Sequence, residues 1–328
     1  MRVLLIGGSG FIGPHVANAL RRQRHEVAVM HRGLTPPAPA DALPAVTDIA
    51  GDRNHLVDSI DQLREFTPDV VVDLILSSGR QARDLMTLFR GYAGRVVALS
   101  SCDVYRACGV LHGSEEGPLE PIPLTESSTL RKQLQTYPPQ QIQALQRVFG
   151  WLEDDYDKIP VERAIFSEPD LPGTVLRLPM VYGPGDQLHR FSSILKQMDD
   201  GEPEIFFEEK HSAWRSPRGF VEDVGGAVAL AATSERAAGR IYNIAEPTSF
   251  SELEWARQIA EAAGWRGTFT VLPAGRAPAH LTMPGNLDQH WVVDSTRIRE
   301  ELGYRESMAR NAAIRQTVEW ERTHIVRE

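Results

Sequence analysis

Residues 154–165, DDYDKIPVERAI, set a phenol, an ammonium and a carboxylate close together, at Tyr156, Lys158 and Glu162. A phenol near a fixed positive charge can trade a proton with a substrate, because the charge moves its pKa. Spacing decides whether the two groups can meet. On a regular helix, residues two apart point to different sides. Pro160 suits the first turn of a helix and is costly inside one. A helix starting there leaves residues 154–158 extended, and in an extended segment Tyr156 and Lys158 share a face.

A second stretch, LLIGGSGFIG, places Gly7, Gly10 and Gly13 between an apolar run and a helical pattern. A glycine turn there lets backbone amides approach a pyrophosphate at the positive end of the helix. The expected cofactor contacts are Gly7, Ser9, Gly10, Phe11, Ile12 and Gly13. Strand before and helix after are the context such a motif requires.

These groups need a scaffold, and the first half of the chain supplies its pattern. Apolar runs at 2–6, 26–30, 45–50, 69–75, 95–100 and 173–178 read as strands buried on both faces. Helix patterns at 11–23, 54–65 and 79–90 fall between them, which predicts a doubly wound α/β parallel sheet, the Rossmann architecture. Residues 107–135 read as a long excursion, and a helix follows within 139–168. Later come helices near 188–199, 220–233 and 294–304, a strand at 240–245, and a helix capped by Ser249 or Ser251 and stopped by Gly264. The expected division is a dinucleotide domain over 1–178, to which about 220–245 returns, and a smaller substrate lobe over 179–328.

The 328 residues carry a formal net charge of -9, which disfavours general affinity for nucleic acid or anionic membrane. Two cysteines, Cys102 and Cys108, cannot build a disulfide framework. Cys102 is expected after a buried strand and Cys108 in a loop. His112, His211, His280 and His290 are expected in loops near the cleft, without metal-ligand spacing, so no metal is predicted. The acidic loop HGSEEGPLEP reads as solvated surface. No apolar run reaches the length of a membrane span, and a cytoplasmic location is expected.

The glycine loop, together with GDRN (51–54), SSCDVY (100–105), LRLPMVYGPGD (176–186), FVEDVGGAVALA, YNIAEP and DSTRIREELGY, resembles the extended short-chain dehydrogenase/reductase superfamily, the NAD-dependent epimerase/dehydratase family. The resemblance implies hydride transfer with a nicotinamide cofactor, aided by a serine, a tyrosine and a lysine in a Y-x-x-x-K arrangement. The lysine holds the nicotinamide ribose and lowers the tyrosine pKa, and the serine bonds the substrate oxygen. Ser101 falls in the serine's place. Lys158 with Glu162 fits the family's lysine and following glutamate, which puts Asp154, not Tyr156, in the tyrosine's place. Three outcomes stay open: Tyr156 serves from its shifted position, Asp154 replaces it in an ion pair with Lys158, or turnover is lost.

The resemblance also places Asp52, with Arg53, near the adenine, and Lys158 and Pro179 on the cofactor. Where NAD-preferring members carry an acidic residue after the second strand, this chain has His31 and Arg32, which favours NADP over NAD. Met180 stands where many members have a substrate-binding asparagine. Arg190, Lys196, Arg215 and Arg218 are the candidate anion contacts, and SAWRSPRGF resembles the segment that puts an arginine on a nucleotide diphosphate. The function implied is an oxidoreductase or epimerase/dehydratase acting on a sugar nucleotide or related hydroxylated metabolite. The alternatives are a silent cofactor-binding regulator or scaffold and, against the acidic charge balance, an RNA-binding relative. A homodimer through helices 79–90 and 139–168 is the expected assembly.

Overall fold

The computed structural model describes residues 1–33, 45–135 and 137–324. The chain opens with β1 (Arg2–Ile6), α1 (Gly13–Arg22), β2 (Glu26–His31), β3 (Thr47–Ala50), α2 (Ile60–Glu65), β4 (Val70–Asp73), α3 (Gly79–Phe89) and β5 (Arg95–Ser101). It continues through α4 (Arg106–His112), α5 (Pro139–Val148), α6 (Lys158–Ile165) and β6 (Gly173–Leu178). Next come β7 (Met180–Tyr182), α7 (Ser192–Asp199), β8 (Glu204–Glu208), α8 (Glu209–Ala213), β9 (Arg218–Phe220) and α9 (Val221–Thr233). The last elements are β10 (Ile241–Asn243), α10 (Glu252–Ala263), β11 (Thr268–Leu272), α11 (Thr296–Leu302) and α12 (Arg310–His324).

Seven strands form one parallel sheet in the order β10-β6-β5-β4-β1-β2-β3. Its two faces are dry for different reasons. Val16 and Leu20 of α1 pack with Val224 and Val228 of α9 on one side, and Leu85 and Phe89 of α3 with Val161 and Ile165 of α6 on the other. The chain works outward from β1 to β3, then crosses back to β4. At that reversal the connections leave β1 and β4 in opposite directions, opening a crevice at their carboxyl ends where such sheets bind ligands. Two parallel strand pairs, β7 with β9 and β8 with β11, belong to the C-terminal part.

Several local expectations change. The predicted helix at 54–65 is a 3-10 turn over Arg53–Ser59 followed by α2, with Asp52 Oδ1 accepting the Asn54 N–H at 2.9 Å. The excursion after β5 begins with α4, which buries Cys108 in a helix instead of a loop. His112 ends that helix and His211 sits in α8, so neither is a loop residue. Glu115 of the acidic loop is not solvated surface. It accepts the N–H groups of Lys132 and Gln133 at 2.6 and 2.8 Å and holds two chain segments together. Ser251 supplies the cap of α10, with Glu254 completing a capping box, and Gly264 ends the helix at φ 73°.

The region 139–168 is not one helix. It breaks between α5 and α6, and α3 packs on α6 while exposing Arg80, Arg83, Asp84, Thr87 and Arg90. That outward face is polar and mostly charged. Among the described residues no helix is long and apolar enough to cross a membrane.

Candidate active site

The crevice holds a two-ended groove. A cavity of about 440 Å³ and a smaller one of about 150 Å³ share Gly7, Gly10, Ile75, Trp151 and Gln187 as walls. The glycine loop shapes the join. Gly7 has φ 78°, a left-handed conformation that favours glycine, and a Cβ on Gly13 would lie 2.2 Å from the Gly8 carbonyl oxygen. The tight loop leaves the amino end of α1 facing the groove, which suits a dinucleotide pyrophosphate. Ser9, His31, Arg32, Asp52 and Arg53 line the smaller end. Phe11, Ile12, Gly13, Ser101, Tyr156, Lys158, Pro179 and Met180 line the larger.

The tyrosine and lysine meet because α6 begins late. Asp157 is its cap, in extended backbone at φ -162° and ψ 131°, and Pro160 falls in the first turn. Tyr156, whose N–H closes a turn on the Glu153 carbonyl at 3.2 Å, and Lys158, the first residue of α6, flank the extended Asp157 and both line the cavity, with Lys158 Nζ 5.5 Å from the Tyr156 ring centre. Asp154 does not reach the cavity. It is exposed and accepts a hydrogen bond from Gln146 Nε2 at 2.8 Å, so the ion pair with Lys158, one of the three outcomes left open, is not made. Lys158 Nζ donates instead to the carbonyls of Leu76 and of Leu99, the latter at 3.1 Å. Burial pulls its pKa from 10.5 down to about 8, against the raising effect of Asp103, Asp73 and Glu162. Ser101, at the end of β5, accepts the Asp103 N–H at 3.2 Å and leaves its own hydroxyl hydrogen available to the cavity.

A group the sequence reading gave no role sits at the centre. Asp103 is 1% exposed, and its Oδ2 accepts the hydroxyls of Tyr156 at 3.1 Å and Tyr137 at 3.4 Å. Burial raises the Asp103 pKa, against the pull of Arg131, whose guanidinium lies 4.0 Å away. Burial first, and then the Asp103 charge, hold the Tyr156 hydroxyl well above the usual phenol value. The expectation that Lys158 lowers that pKa is reversed here, because a carboxylate bonded to the phenol stabilises its neutral form.

Two buried networks fix this geometry. Asp157 caps α6 through Oδ1 to the Ile159 N–H at 2.8 Å, and its Oδ2 accepts the Gln135 N–H at 2.7 Å and Arg131 at 3.3 Å. Glu162 takes Arg177 through both oxygens, at 2.9 and 2.7 Å, and Ser100 Oγ at 2.6 Å. Arg177 continues to the Tyr105 hydroxyl at 3.0 Å, which donates to Asn243 at 2.5 Å. These partners join β5, β6, β10 and α6, so α6 cannot slide without breaking the set.

At the smaller end, His31 Nδ1 accepts the Gly33 N–H at 2.9 Å and Nε2 faces Asp48 at 3.3 Å, so the imidazole is committed. Arg32 is exposed at the mouth. Arg53 turns inward, its Nε bonding Asp73 at 2.5 Å and its Nη2 the Gln81 carbonyl at 2.7 Å, while the residue still borders the smaller cavity. On the substrate side Arg190 lines the cavity but donates to Asp186 at 2.7 Å. Arg218 grips Glu252, Arg215 is exposed, and neither borders the cavity; Lys196 pairs with Asp200 at the surface. No cluster of His, Cys, Asp and Glu among the described residues could hold a metal ion.

The model of the NAD dependent epimerase/dehydratase family matches residues 3–245. The chain belongs to that family. A 2'-dehydrokanamycin reductase from Streptomyces kanamyceticus is 26% identical over 96% of this chain and 92% of its own. A putative epimerase from Burkholderia cenocepacia superposes with TM-score 0.71 at 18% identity, covering 98% of each chain. UDP-glucuronic acid 4-epimerase from Bacillus cereus, solved with UDP-glucuronic acid and NAD, gives TM-score 0.67 at 16% identity over 98% of this chain and 99% of that one. The epimerase/dehydratase fold thus extends over nearly the whole chain.

Proposed function

We propose that this family member is an NADP-dependent reductase that converts a ketone of a hydroxylated metabolite to an alcohol, with Tyr156 as proton donor. The observation that carries the reading is the Tyr156–Asp103 bond at the end of the cofactor groove. A phenol held neutral is a proton donor in waiting, and reduction of a carbonyl needs a donor at the developing alkoxide. A bound nicotinamide would supply the hydride. Tyr156 gives its proton to the carbonyl oxygen and Ser101 donates a hydrogen bond to that oxygen. The tyrosinate left behind is reprotonated through Asp103, whose carboxylate accepts the Tyr156 hydroxyl at rest and, its pKa raised by burial, takes up the replacement proton from solvent in the cavity. Lys158, cationic below about pH 8, is suited to the nicotinamide ribose. Arg32, with His31 beside it in place of a carboxylate, supports NADP through its affinity for a 2'-phosphate. The reductase activity of the Streptomyces kanamyceticus relative agrees with this direction.

The experiment is oxidation of NADPH and NADH against a panel of ring ketones. Turnover with NADPH preferred is expected; tighter binding and faster use of NADH would defeat the NADP assignment. The same Tyr156–Asp103 bond supports a second reading, a cofactor-binding protein without turnover, because it directs the hydroxyl hydrogen away from a substrate. A panel that yields no hydride transfer with either cofactor would favour it.

A further inference from the structure

Members of this fold solved with nucleotide sugars must hold a diphosphate, and burying one requires cations or amides aimed at it. Of the candidate arginines, Arg215 is exposed and does not border the cavity, and Arg190 and Arg218 are already engaged by carboxylates. Arg218, half of the SAWRSPRGF signal, donates to both oxygens of Glu252 at 2.7 Å and stacks over Trp255 at 4.7 Å. Glu252 is doubly suited to keep it. The carboxylate opens α10, where the helix amino end favours negative charge, and it also accepts Ser216 Oγ at 3.2 Å. Turning Arg218 toward a phosphate would strand that carboxylate beside the core.

Arg190 does border the cavity, but beside it stands Asp186, 2% exposed, which accepts the Arg190 side chain and the Leu188 N–H at 3.0 Å. A diphosphate entering there would meet a carboxylate that is already using the arginine. Much of the remaining wall is apolar, with Leu145, Phe149, Met180, Leu188 and Trp291, and Gln141 and Gln187 among its polar members are uncharged. The cavity's two cations are committed, Arg190 to Asp186 and Lys158 to the carbonyls of Leu76 and Leu99.

We infer that the substrate is a phosphate-free hydroxylated carbonyl compound, uncharged or cationic, and not a sugar nucleotide. The inference rests on the cavity being the substrate site of an oxidoreductase, and it deepens that reading by fixing the charge class. The ring's apolar face lies against the Met180 and Trp291 wall, and its carbonyl reaches Ser101 and Tyr156.

The test titrates the full-length protein, saturated with NADP, with UDP and with UDP-glucose by calorimetry. In parallel, NADPH oxidation is followed with UDP-4-keto-glucose, a neutral methyl ketoglycoside and its amino-substituted analogue. Prior saturation with NADP shows that the groove is folded. No UDP or UDP-glucose binding at millimolar concentration, with turnover of a phosphate-free ketone that UDP does not inhibit, is the expected result. Saturable UDP binding below millimolar, or turnover confined to the nucleotide ketone, overturns the inference while leaving the reductase reading intact. Failure of every ketone to consume NADPH counts against the reductase reading, and the UDP titration still decides the charge class.

Discussion

The phenol at position 156 is governed less by the lysine near it in sequence than by a carboxylate far from it. Asp103 takes its hydrogen bond across 53 residues of chain, and no local spacing encodes such a contact. The motif SSCDVY placed Ser101 on the cavity, yet gave Asp103 no role, because a buried acid becomes meaningful only once its donors are known. Replacing Asp103 with Asn removes the charge that, after burial, raises the Tyr156 pKa, and removes the carboxyl that would return a proton, while keeping an acceptor in place. We expect kcat to fall about tenfold or more, within the usual range of a single acid–base group, with NADP affinity unchanged by titration. Equal kcat in wild type and variant would exclude the relay. Lys158 gives a pH test. Its pKa sits near 8 because burial lowers it, so the ammonium is present below that value and lost above it. The kcat/KM profile of the free enzyme should therefore decline on the alkaline side with an apparent pKa near 8. A flat profile through pH 9 would show that the charge is not used.

At the scale of elements, the start of α6 is what makes the pair workable. The proline argument brought Tyr156 and Lys158 to one cavity by a route the structure does not take. It put the helix start at Pro160 and residues 154–158 in an extended run, whereas α6 starts at Lys158 and the Tyr156 N–H closes a turn on the Glu153 carbonyl. It did not identify Asp157 as the cap, nor the Arg131 and Gln135 contacts that anchor the cap to another loop. Glu162 entered only as a register mark, whereas in the structure it neutralises Arg177 in the buried joint between α6 and β6. Removing it by Glu162→Ala leaves that guanidinium buried and uncompensated, which should cost roughly 3–5 kcal/mol. Urea denaturation measures this directly, and a loss under 1 kcal/mol, the scale of an exposed pair, would contradict the assignment. The glycine loop was readable because its context is local, strand then turn then helix. Gly13→Ala must push against the Gly8 backbone. The variant should remain folded by circular dichroism and bind NADP at least about tenfold more weakly, as expected when a turn that cradles phosphate is displaced.

For the molecule as a whole, alternating apolar runs were enough to announce a doubly wound parallel sheet, because strands buried on both faces leave an unbroken hydrophobic signature. The strand order and its reversal between β1 and β4 place the groove. The later segments were harder to read, since β7 to β11 are short and pair only with one another or at the sheet edge. Among the candidate anion contacts, sequence could not separate a free arginine from one bound to a distant glutamate. Only the folded chain shows Arg218 closed on Glu252 and Arg190 on Asp186. The central claim joins all three scales: a late-starting helix carries a shifted tyrosine into the cavity, where burial and then a buried acid keep it protonated. Its most direct test is single-turnover NADPH oxidation by Tyr156→Phe with the best ketone from the panel. The account predicts a rate lower by about 10²–10⁴ with NADPH binding unchanged; a rate equal to that of the wild type would contradict it.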